Sequence, residues 1–171
     1  TGNIGYAQGL EILPETATLL KSQGISCEFY IIGDGRYRAE LEKSIKEHEV
    51  DEMFSLLGRK EPEQIPKYMA CCDAAFLSFA DNPLFQMTIP AKLQSYIVAA
   101  ASGETKRIIE EAEAGIVCEI GVANALAEGI RWMMEQPEKA RKKMGEHARE
   151  YYKREFNRDF LLKVMEEYLK G

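Results

Sequence analysis

The chain has 171 residues, of which 46% are hydrophobic and 29% charged, a composition typical of one globular domain and unlike that of a disordered or fibrous protein. The 22 Lys and Arg residues and 28 Asp and Glu residues give a net charge of −6, which argues against nucleic acid as a partner, because its binding depends on neutralising phosphates. No apolar stretch approaches the ~20 residues that a membrane-spanning helix needs.

The cysteines favour reduced thiols in a cytoplasmic protein and do not predict a metal site. A structural zinc site needs about four closely spaced ligands. The sequence contains no Cys-x-x-Cys pair, and only His48 and His147 could assist. The four cysteines are Cys27, Cys71, Cys72 and Cys118. We therefore expect no bound metal.

Strand-like segments alternate with segments of helical periodicity along the chain. Residues 1–5 resemble the end of a strand, and the further expected strands are residues 26–32, 53–57, 73–78, 97–101 and 115–120. The expected helices are residues 15–23, which Pro14 starts or kinks, 36–47, 61–71, 104–114, 123–135 and a long tail from Pro137. This alternation predicts an α/β fold with a Rossmann-like parallel β-sheet, helices on both faces and a C-terminal helical tail.

The charge distribution separates the tail from the rest of the chain. Residues 137–171 contain ten Lys and Arg residues and seven Asp and Glu residues, a net charge of +3 in a chain of net charge −6. The cluster of Lys139 and residues 141–143 is typical of a solvated helix face, although contact with an anionic membrane is an alternative. We expect a Rossmann-like domain over residues 1–136, with residues 137–171 as C-terminal helices that pack on it.

Two features predict that the chain is an interrupted part of a longer protein. The first is that Thr1, and not Met, opens a segment that resembles the end of a strand. The second is that a helix beginning at Pro90 meets the strand at Ile97 directly after Tyr96, without the usual connection of several residues. We expect missing residues at this junction. A Cα–Cα distance clearly longer than about 3.8 Å would confirm them.

Loops that follow strands are the candidate ligand-binding segments, because parallel sheets bind ligands beyond the carboxyl ends of their strands. Residues 2–5 and 33–36 are Gly-rich turns, whose backbone N–H groups next to a helix favour phosphate. Neither is a complete dinucleotide-binding motif, and simple tight turns are the alternative. Asp34 could accept a hydrogen bond from a ligand hydroxyl or cap the following helix.

Three cations lie in other loops of this kind. Arg59 and Lys60 follow the strand at 53–57 and could contact a phosphate or a base, or be solvated. The long loop over residues 79–92 brings Lys92 to the first turn of a helix, where the helix dipole disfavours a cation unless an anion binds or solvent screens it. No nucleophile–base pair or carboxylate dyad is visible, so the sequence identifies no catalytic residue.

Taken in order, these segments resemble the donor-binding, C-terminal half of the GT-B glycosyltransferases of family 4, or group 1, and especially the bacterial branch that builds surface polysaccharides. The similar segments cover nearly the whole chain: residues 2–10, 29–35, 57–59, 65–73, 90–96, 102–105 and 113–117. The resemblance implies transfer of a sugar from a nucleotide-diphosphate sugar, with UDP favoured, to a cell-surface glycan or a lipid-linked acceptor. Family members usually carry a short segment before the strand at Ile97, and this chain lacks it.

The resemblance also implies the residues of the donor site. The residues implied to bind the nucleotide and diphosphate are Gly2, Asn3, Gly5, Gln8, Gly33, Asp34, Gly35, Arg59, Lys60, Lys92, Leu93 and Ser95. The residues implied to bind the donor sugar are Met87, Thr88 and Pro90. The general base is expected in an N-terminal acceptor-binding domain outside this chain, so the isolated chain is expected to be inactive. No cofactor or metal is expected, and the enzyme is expected in the cytoplasm, with contact at the inner face of the membrane as a further expectation.

Three departures from the family pattern leave alternatives open. Gln8 stands where many members have a Lys, Met87 and Ser95 stand at the positions of two Glu residues, and no acceptor domain is present. Lys92 could replace the lost positive charge, and Ser95 could still bond a ribose hydroxyl. The alternatives are a non-catalytic Rossmann-like nucleotide-binding partner module and a GT-B sugar epimerase.

Overall fold

The computed structural model describes residues 1–80, 82, 97–156 and 158–170. Six strands are described: β1 (Gly2–Asn3), β2 (Phe29–Asp34), β3 (Phe54–Gly58), β4 (Ala75–Ser78), β5 (Ile97–Ala100) and β6 (Gly115–Cys118). Seven α-helices are described: α1 (Ile12–Ser22), α2 (Arg38–Glu47), α3 (Ile65–Ala70), α4 (Gly103–Glu111), α5 (Ala123–Glu135), α6 (Glu138–Glu155) and α7 (Arg158–Lys170). Short 3₁₀ turns cover Tyr6–Gln8, Asp51–Met53 and Pro62–Gln64.

The strands form two three-stranded sheets, ordered β1-β2-β3 and β4-β5-β6, in which every described pair is parallel. Gly2 pairs with Gly33, and Ala75 pairs with Ile97. Parallel pairing requires crossover connections, and the helices between the strands provide them. The predicted α/β fold with parallel strands and flanking helices is confirmed.

Helices cover both sides of the strands. On one side, Leu13 of α1 and Leu126 of α5 are fully buried and pack in one cluster with Phe29 of β2 and Val98 of β5. This cluster includes strands of both sheets and therefore joins them. On the other side of the second sheet, Ile109 of α4 and Tyr151 of α6 pack in a cluster with Ala99 of β5. Leu41 and Ile45 hold α2 in a third cluster.

Several element boundaries differ from those expected. The segment 33–34, predicted as a turn, ends β2 instead, because β1 pairs with Gly33 and Asp34 and extends the ladder. The helix expected over residues 61–71 divides into the 3₁₀ turn at Pro62–Gln64 and α3. The expected tail consists of two helices, α6 and α7. Pro14 lies in the first turn of α1, where its missing N–H group costs no helical hydrogen bond.

The tail is anchored by α6. Ala148 and Tyr151 are buried against the second sheet and α4, and the Tyr151 hydroxyl donates a 2.9 Å hydrogen bond to Glu111. In α7, exposed apolar side chains include Met165, Tyr168 and Leu169. Among the described residues, no helix is both long and apolar enough to cross a membrane. The boundary at residue 136 and the packing of the tail on a further domain stay predictions.

Candidate functional site

The two predicted Gly-rich loops lie side by side at the carboxyl ends of β1 and β2. The N–H group of Ile4 donates a 2.9 Å hydrogen bond to the carbonyl of Asp34. The N–H group of Tyr37 donates a 3.0 Å hydrogen bond back to the carbonyl of Ile4. Ile4 is buried between the loops. The loops around Gly2–Gly5 and Gly33–Gly35, far apart in the sequence, therefore form one structural unit.

This contact between backbones needs glycine at two positions. A Cβ atom at Gly33 would overlap the carbonyl oxygen of Gly2, and the φ angle of 147° at Gly33 is itself unfavourable for other residues. A Cβ atom at Gly35 would overlap the carbonyl oxygen of Ile4. Both glycines thus allow an approach of main chain to main chain that a side chain would prevent.

Gln8 is folded back into the first loop. Its side-chain oxygen accepts a 2.9 Å hydrogen bond from the N–H group of Gly5 and a 3.4 Å hydrogen bond from the amide of Asn3. The N–H group of Gly5, which was predicted to bind a diphosphate, therefore already donates a hydrogen bond to the Gln8 side chain. A ligand oxygen could take this place only if the Gln8 side chain moved, since the two would compete for the same N–H group.

Asp34 does not cap α2, whose N-cap position is Tyr37. Its carboxylate instead accepts a 2.9 Å hydrogen bond from the N–H group of Gly35 and lies 3.9 Å from the guanidinium of Arg38. Arg38 also donates a 2.8 Å hydrogen bond to Glu42, which raises the pKa of Arg38 further and keeps the guanidinium charged. The carboxylate is thus held at the loop by its neighbours and retains acceptor capacity for a ligand hydroxyl.

Arg38 and Tyr6 lie beside the two loops and were not singled out from the sequence. A Cβ atom at Gly58 would lie 3.6 Å from the Arg38 guanidinium, which places this cation beside the end of β3. Tyr6 is 56% exposed, and its ring contacts the Tyr37 ring edge-on, with 5.1 Å between the ring centroids. The Tyr6 hydroxyl donates a hydrogen bond to Glu40, and this bond raises the pKa of Tyr6. Arg38 could have been found from the sequence, because it lies four residues after Asp34, in the helix that follows the second loop.

The predicted cations after β3 occupy different environments. Arg59 is exposed. Lys60 is half-buried, and its ammonium lies 6.0 Å from the centroid of the Tyr68 ring, on the side of α3. The structure therefore brings together Gly2, Asn3, Gly5, Gln8, Gly33, Asp34 and Gly35, and it places Lys60 toward α3.

The remaining predicted site residues lie outside the described residues. They are Met87, Thr88, Pro90, Lys92, Leu93 and Ser95. The Tyr96–Ile97 junction also cannot be measured, because Tyr96 lies outside this range. In the described part of the chain, no group of three or more His, Cys, Asp or Glu side chains could hold a metal ion. The expectation of a metal-independent site stays a prediction.

Two curated relatives are sugar transferases. The chain is 26% identical over 148 residues to an alpha-D-kanosaminyltransferase of Streptomyces kanamyceticus, a match covering 86% of this chain and 38% of the relative. It is 29% identical over 129 residues to the amylovoran biosynthesis glycosyltransferase AmsK of Erwinia amylovora, covering 70% of this chain and 31% of that protein. The chain thus spans about a third of the length of these curated relatives.

Solved structures share the fold. HepE of Anabaena, in complex with UDP and glucose, superposes with a TM-score of 0.81 at 20% identity, covering 99% of this chain and 47% of HepE. The C-terminal domain of the group 1 glycosyltransferase LpcC of Francisella tularensis superposes with a TM-score of 0.68 at 17% identity, covering 92% of this chain and 84% of that domain. The family model described as glycosyl transferases group 1 matches residues 1–151, and the chain therefore belongs to the group 1 glycosyltransferase family.

Proposed function

We propose that this chain is the donor-binding half of a glycosyltransferase and binds a nucleoside diphosphate sugar at the paired Gly-rich loops. The observation that carries the proposal is the direct backbone contact at Gly33 and Gly35, which holds the two Gly-rich loops together at the carboxyl edge of a parallel sheet. Backbone N–H groups of Gly-rich turns at such an edge favour phosphate oxygens. HepE, which shares the fold, is in complex with UDP and glucose, and this supports UDP as the first nucleotide to test.

In this proposal the diphosphate accepts a hydrogen bond from the N–H group of Gly5 once the Gln8 side chain moves away, while the Asp34 carboxylate accepts a hydrogen bond from a ribose hydroxyl. Arg38, 3.9 Å from Asp34, adds a fixed positive charge beside the site. Stabilising the negative charge of the departing nucleoside diphosphate would supply much of the rate acceleration. No metal is required by this scheme, and Lys92, Leu93, Ser95, Met87, Thr88 and Pro90 keep their predicted donor-binding roles.

The acceptor-binding half and the general base are proposed to lie in an N-terminal domain. This is supported by the match to about half of HepE and about a third of the curated relatives. The amylovoran relative supports a cell-surface polysaccharide as product. A non-catalytic partner module and an epimerase are less favoured, because both curated relatives are named as transferases. A cytoplasmic location and contact with the membrane face stay predictions.

Isothermal titration of the chain with UDP, GDP, ADP and uridine tests the proposal. We expect saturable binding of UDP, weaker binding of uridine, and loss of at least about tenfold in UDP affinity in Asp34→Asn, since a charged hydrogen-bond acceptor is worth about 1.5–3 kcal/mol. Asp51→Asn is the matched control, because Asp51 is exposed and precedes β3, away from the carboxyl edge. Equal, unsaturable heats for all four ligands would contradict the proposal.

Exchanging Gln8 for lysine should tighten UDP binding by about tenfold. The variant Gln8→Lys removes the side-chain oxygen that accepts a hydrogen bond from the Gly5 N–H group. It also adds a cation beside the proposed diphosphate, and hydrogen bonds between charged groups are stronger than those between neutral groups. Uridine affinity should not change, because uridine has no phosphate. Gln23→Lys, with the same charge change at the exposed end of α1, controls for long-range attraction. A similar gain in both variants, or a loss in Gln8→Lys, would show that Gln8 does not face the phosphate.

A further inference from the structure

Ser78, the last residue of β4, binds the segment that follows β1. Its side chain is buried, and its hydroxyl donates a hydrogen bond to the backbone carbonyl of Gln8. A buried hydroxyl needs a partner, and Thr16, which is also buried, donates to the carbonyl of Ile12 one turn earlier in its own helix. The hydroxyl of Ser78 instead joins residues that lie 70 positions apart in the sequence. It therefore fastens the end of β4 to the segment after β1.

Two further contacts hold the same segment against the end of β4. The N–H group of Ala80 donates a 3.1 Å hydrogen bond to the carbonyl of Ala7. A Cβ atom at Gly9, whose φ angle is 58°, would lie 2.7 Å from the carbonyl oxygen of Phe79, so the two main chains meet directly. These contacts lie directly before and after the residue that Ser78 binds.

The local structure explains why carbonyl groups of this segment accept hydrogen bonds from the end of another strand. Residues 5–9, which we call the Gln8 turn, contain the 3₁₀ turn Tyr6–Gln8. The last carbonyls of a helical turn have no partner within it. The carbonyls of Ala7 and Gln8 are of this kind, and the end of β4 supplies their donors. The Gln8 turn is thus completed by β4.

The backbone and the side chain of Gln8 have separate partners. The carbonyl accepts the hydrogen bond from Ser78, while the side-chain oxygen accepts the 2.9 Å hydrogen bond from the N–H group of Gly5. In the proposed function a diphosphate oxygen takes the place of that side-chain oxygen. The exchange breaks the bond that closes the start of the Gln8 turn, but it leaves the bond from Ser78 intact. A loop that is still held needs less ordering when a ligand binds, and this favours affinity.

We propose that Ser78 is a positioning residue of the donor site. Its hydroxyl keeps the Gln8 backbone in place while the Gln8 side chain and a diphosphate oxygen exchange at the N–H group of Gly5. Ser78 acts through Gln8 and needs no contact with the ligand. The inference rests on the proposed function, because it takes the Gly5 N–H group as a diphosphate donor.

Amide hydrogen exchange at Gly5, followed by NMR without ligand, tests the positioning. Gln8→Ala removes the side-chain acceptor and gives the exchange rate of a Gly5 N–H group without it. We expect Ser78→Ala to raise the Gly5 rate by at least about threefold toward that value, because a displaced Gln8 backbone carries its side chain away from Gly5. Ser78→Thr keeps a hydroxyl and should retain the rate of the unaltered chain. The N–H group of the buried Leu41 in α2 is the internal reference.

UDP titration in a Gln8→Ala background tests the effect on the donor site without competition from the Gln8 side chain. The main-chain carbonyl that Ser78 binds is still present in Gln8→Ala. Adding Ser78→Ala should therefore weaken UDP binding by about threefold to tenfold, the effect of one hydrogen bond, and leave uridine binding unchanged. Ser22→Ala is the matched control, because the Ser22 hydroxyl also donates to a backbone carbonyl, that of Leu19 at 2.7 Å, but at the far end of α1.

The outcomes separate a positioning role from a general structural one. Faster exchange at Gly5 with an unchanged Leu41 rate, restored by Ser78→Thr, together with a selective loss of UDP affinity, supports the proposal. An unchanged Gly5 rate in Ser78→Ala, faster exchange at both amides, unchanged UDP affinity, or equal loss of UDP and uridine affinity would each overturn it. If the unaltered chain does not bind UDP, the proposed function fails, and the Gly5 rate alone then decides whether Ser78 positions Gln8.

Discussion

Replacing Gly33 with alanine should destabilise the protein by about 3 kcal/mol or more and abolish UDP binding. The new Cβ atom would overlap the carbonyl oxygen of Gly2 in the adjacent strand, and a φ of 147° adds strain of about 1–3 kcal/mol for a residue with a side chain. The obstacle is backbone held by the β1–β2 ladder, so no side-chain rotation can relieve it. Relief requires the two loops to separate, which dismantles the proposed diphosphate site.

Substitutions at two further glycines separate the two causes of this destabilisation, which are the close backbone approach and the positive φ angle. Gly35→Ala introduces an overlap with the carbonyl oxygen of Ile4 at a residue without a positive φ, so it tests the close approach alone. Gly24→Ala has a φ of 71° and nothing within 4 Å of its Cβ, so it tests the backbone angle alone, at about 1 kcal/mol. Urea denaturation should rank Gly33→Ala as most destabilising and Gly24→Ala as least. If Gly33→Ala cost no more than Gly24→Ala, the contact between the loops would be wrong.

Sequence periodicity predicted the fold because each strand and helix carries its own local signal. Apolar β-branched runs such as residues 29–32 and 115–118 are bounded by glycine or turn residues, and α5 was predicted at its observed bounds. The two Gly-rich loops were also located, because glycine is a strong local signal for a turn after a strand. The predicted ends of strands were wrong where pairing with a neighbouring strand determines them. Gly33 and Asp34 extend β2 only because β1 lies beside them.

The contents of the site were less predictable, because they depend on side chains meeting across the fold. Nothing local to Gln8 indicates that its amide oxygen accepts from Gly5 and thereby occupies a backbone donor of the predicted diphosphate loop. The position of Arg38 beside Gly58 depends on the packing of α2, whose Leu41 and Ile45 share a cluster with residues of β2 and β3.

Alanine at Gly129 should change from destabilising to stabilising when Cys118 is also replaced by alanine. Gly129 lies inside α5, where alanine is intrinsically favoured over glycine by about 0.5–1 kcal/mol. Its Cβ atom, however, would overlap the Cys118 sulfur, while Val98 and Ile116 lie at ordinary contact distances of 3.6 and 3.7 Å. Overpacking of this kind costs about 1–3 kcal/mol, so Gly129→Ala alone should lower stability.

A double-mutant cycle measured by urea denaturation isolates this contact. Cys118→Ala removes the sulfur and should by itself destabilise modestly, since it leaves a small cavity beneath α5. Adding Gly129→Ala in that background should then raise the free energy of unfolding, because helix propensity is gained and the new methyl group fills the space of the sulfur. A coupling free energy of about 2 kcal/mol between the two sites is expected. Additive effects would show that α5 does not approach β6 as closely as the Gly129–Cys118 contact requires.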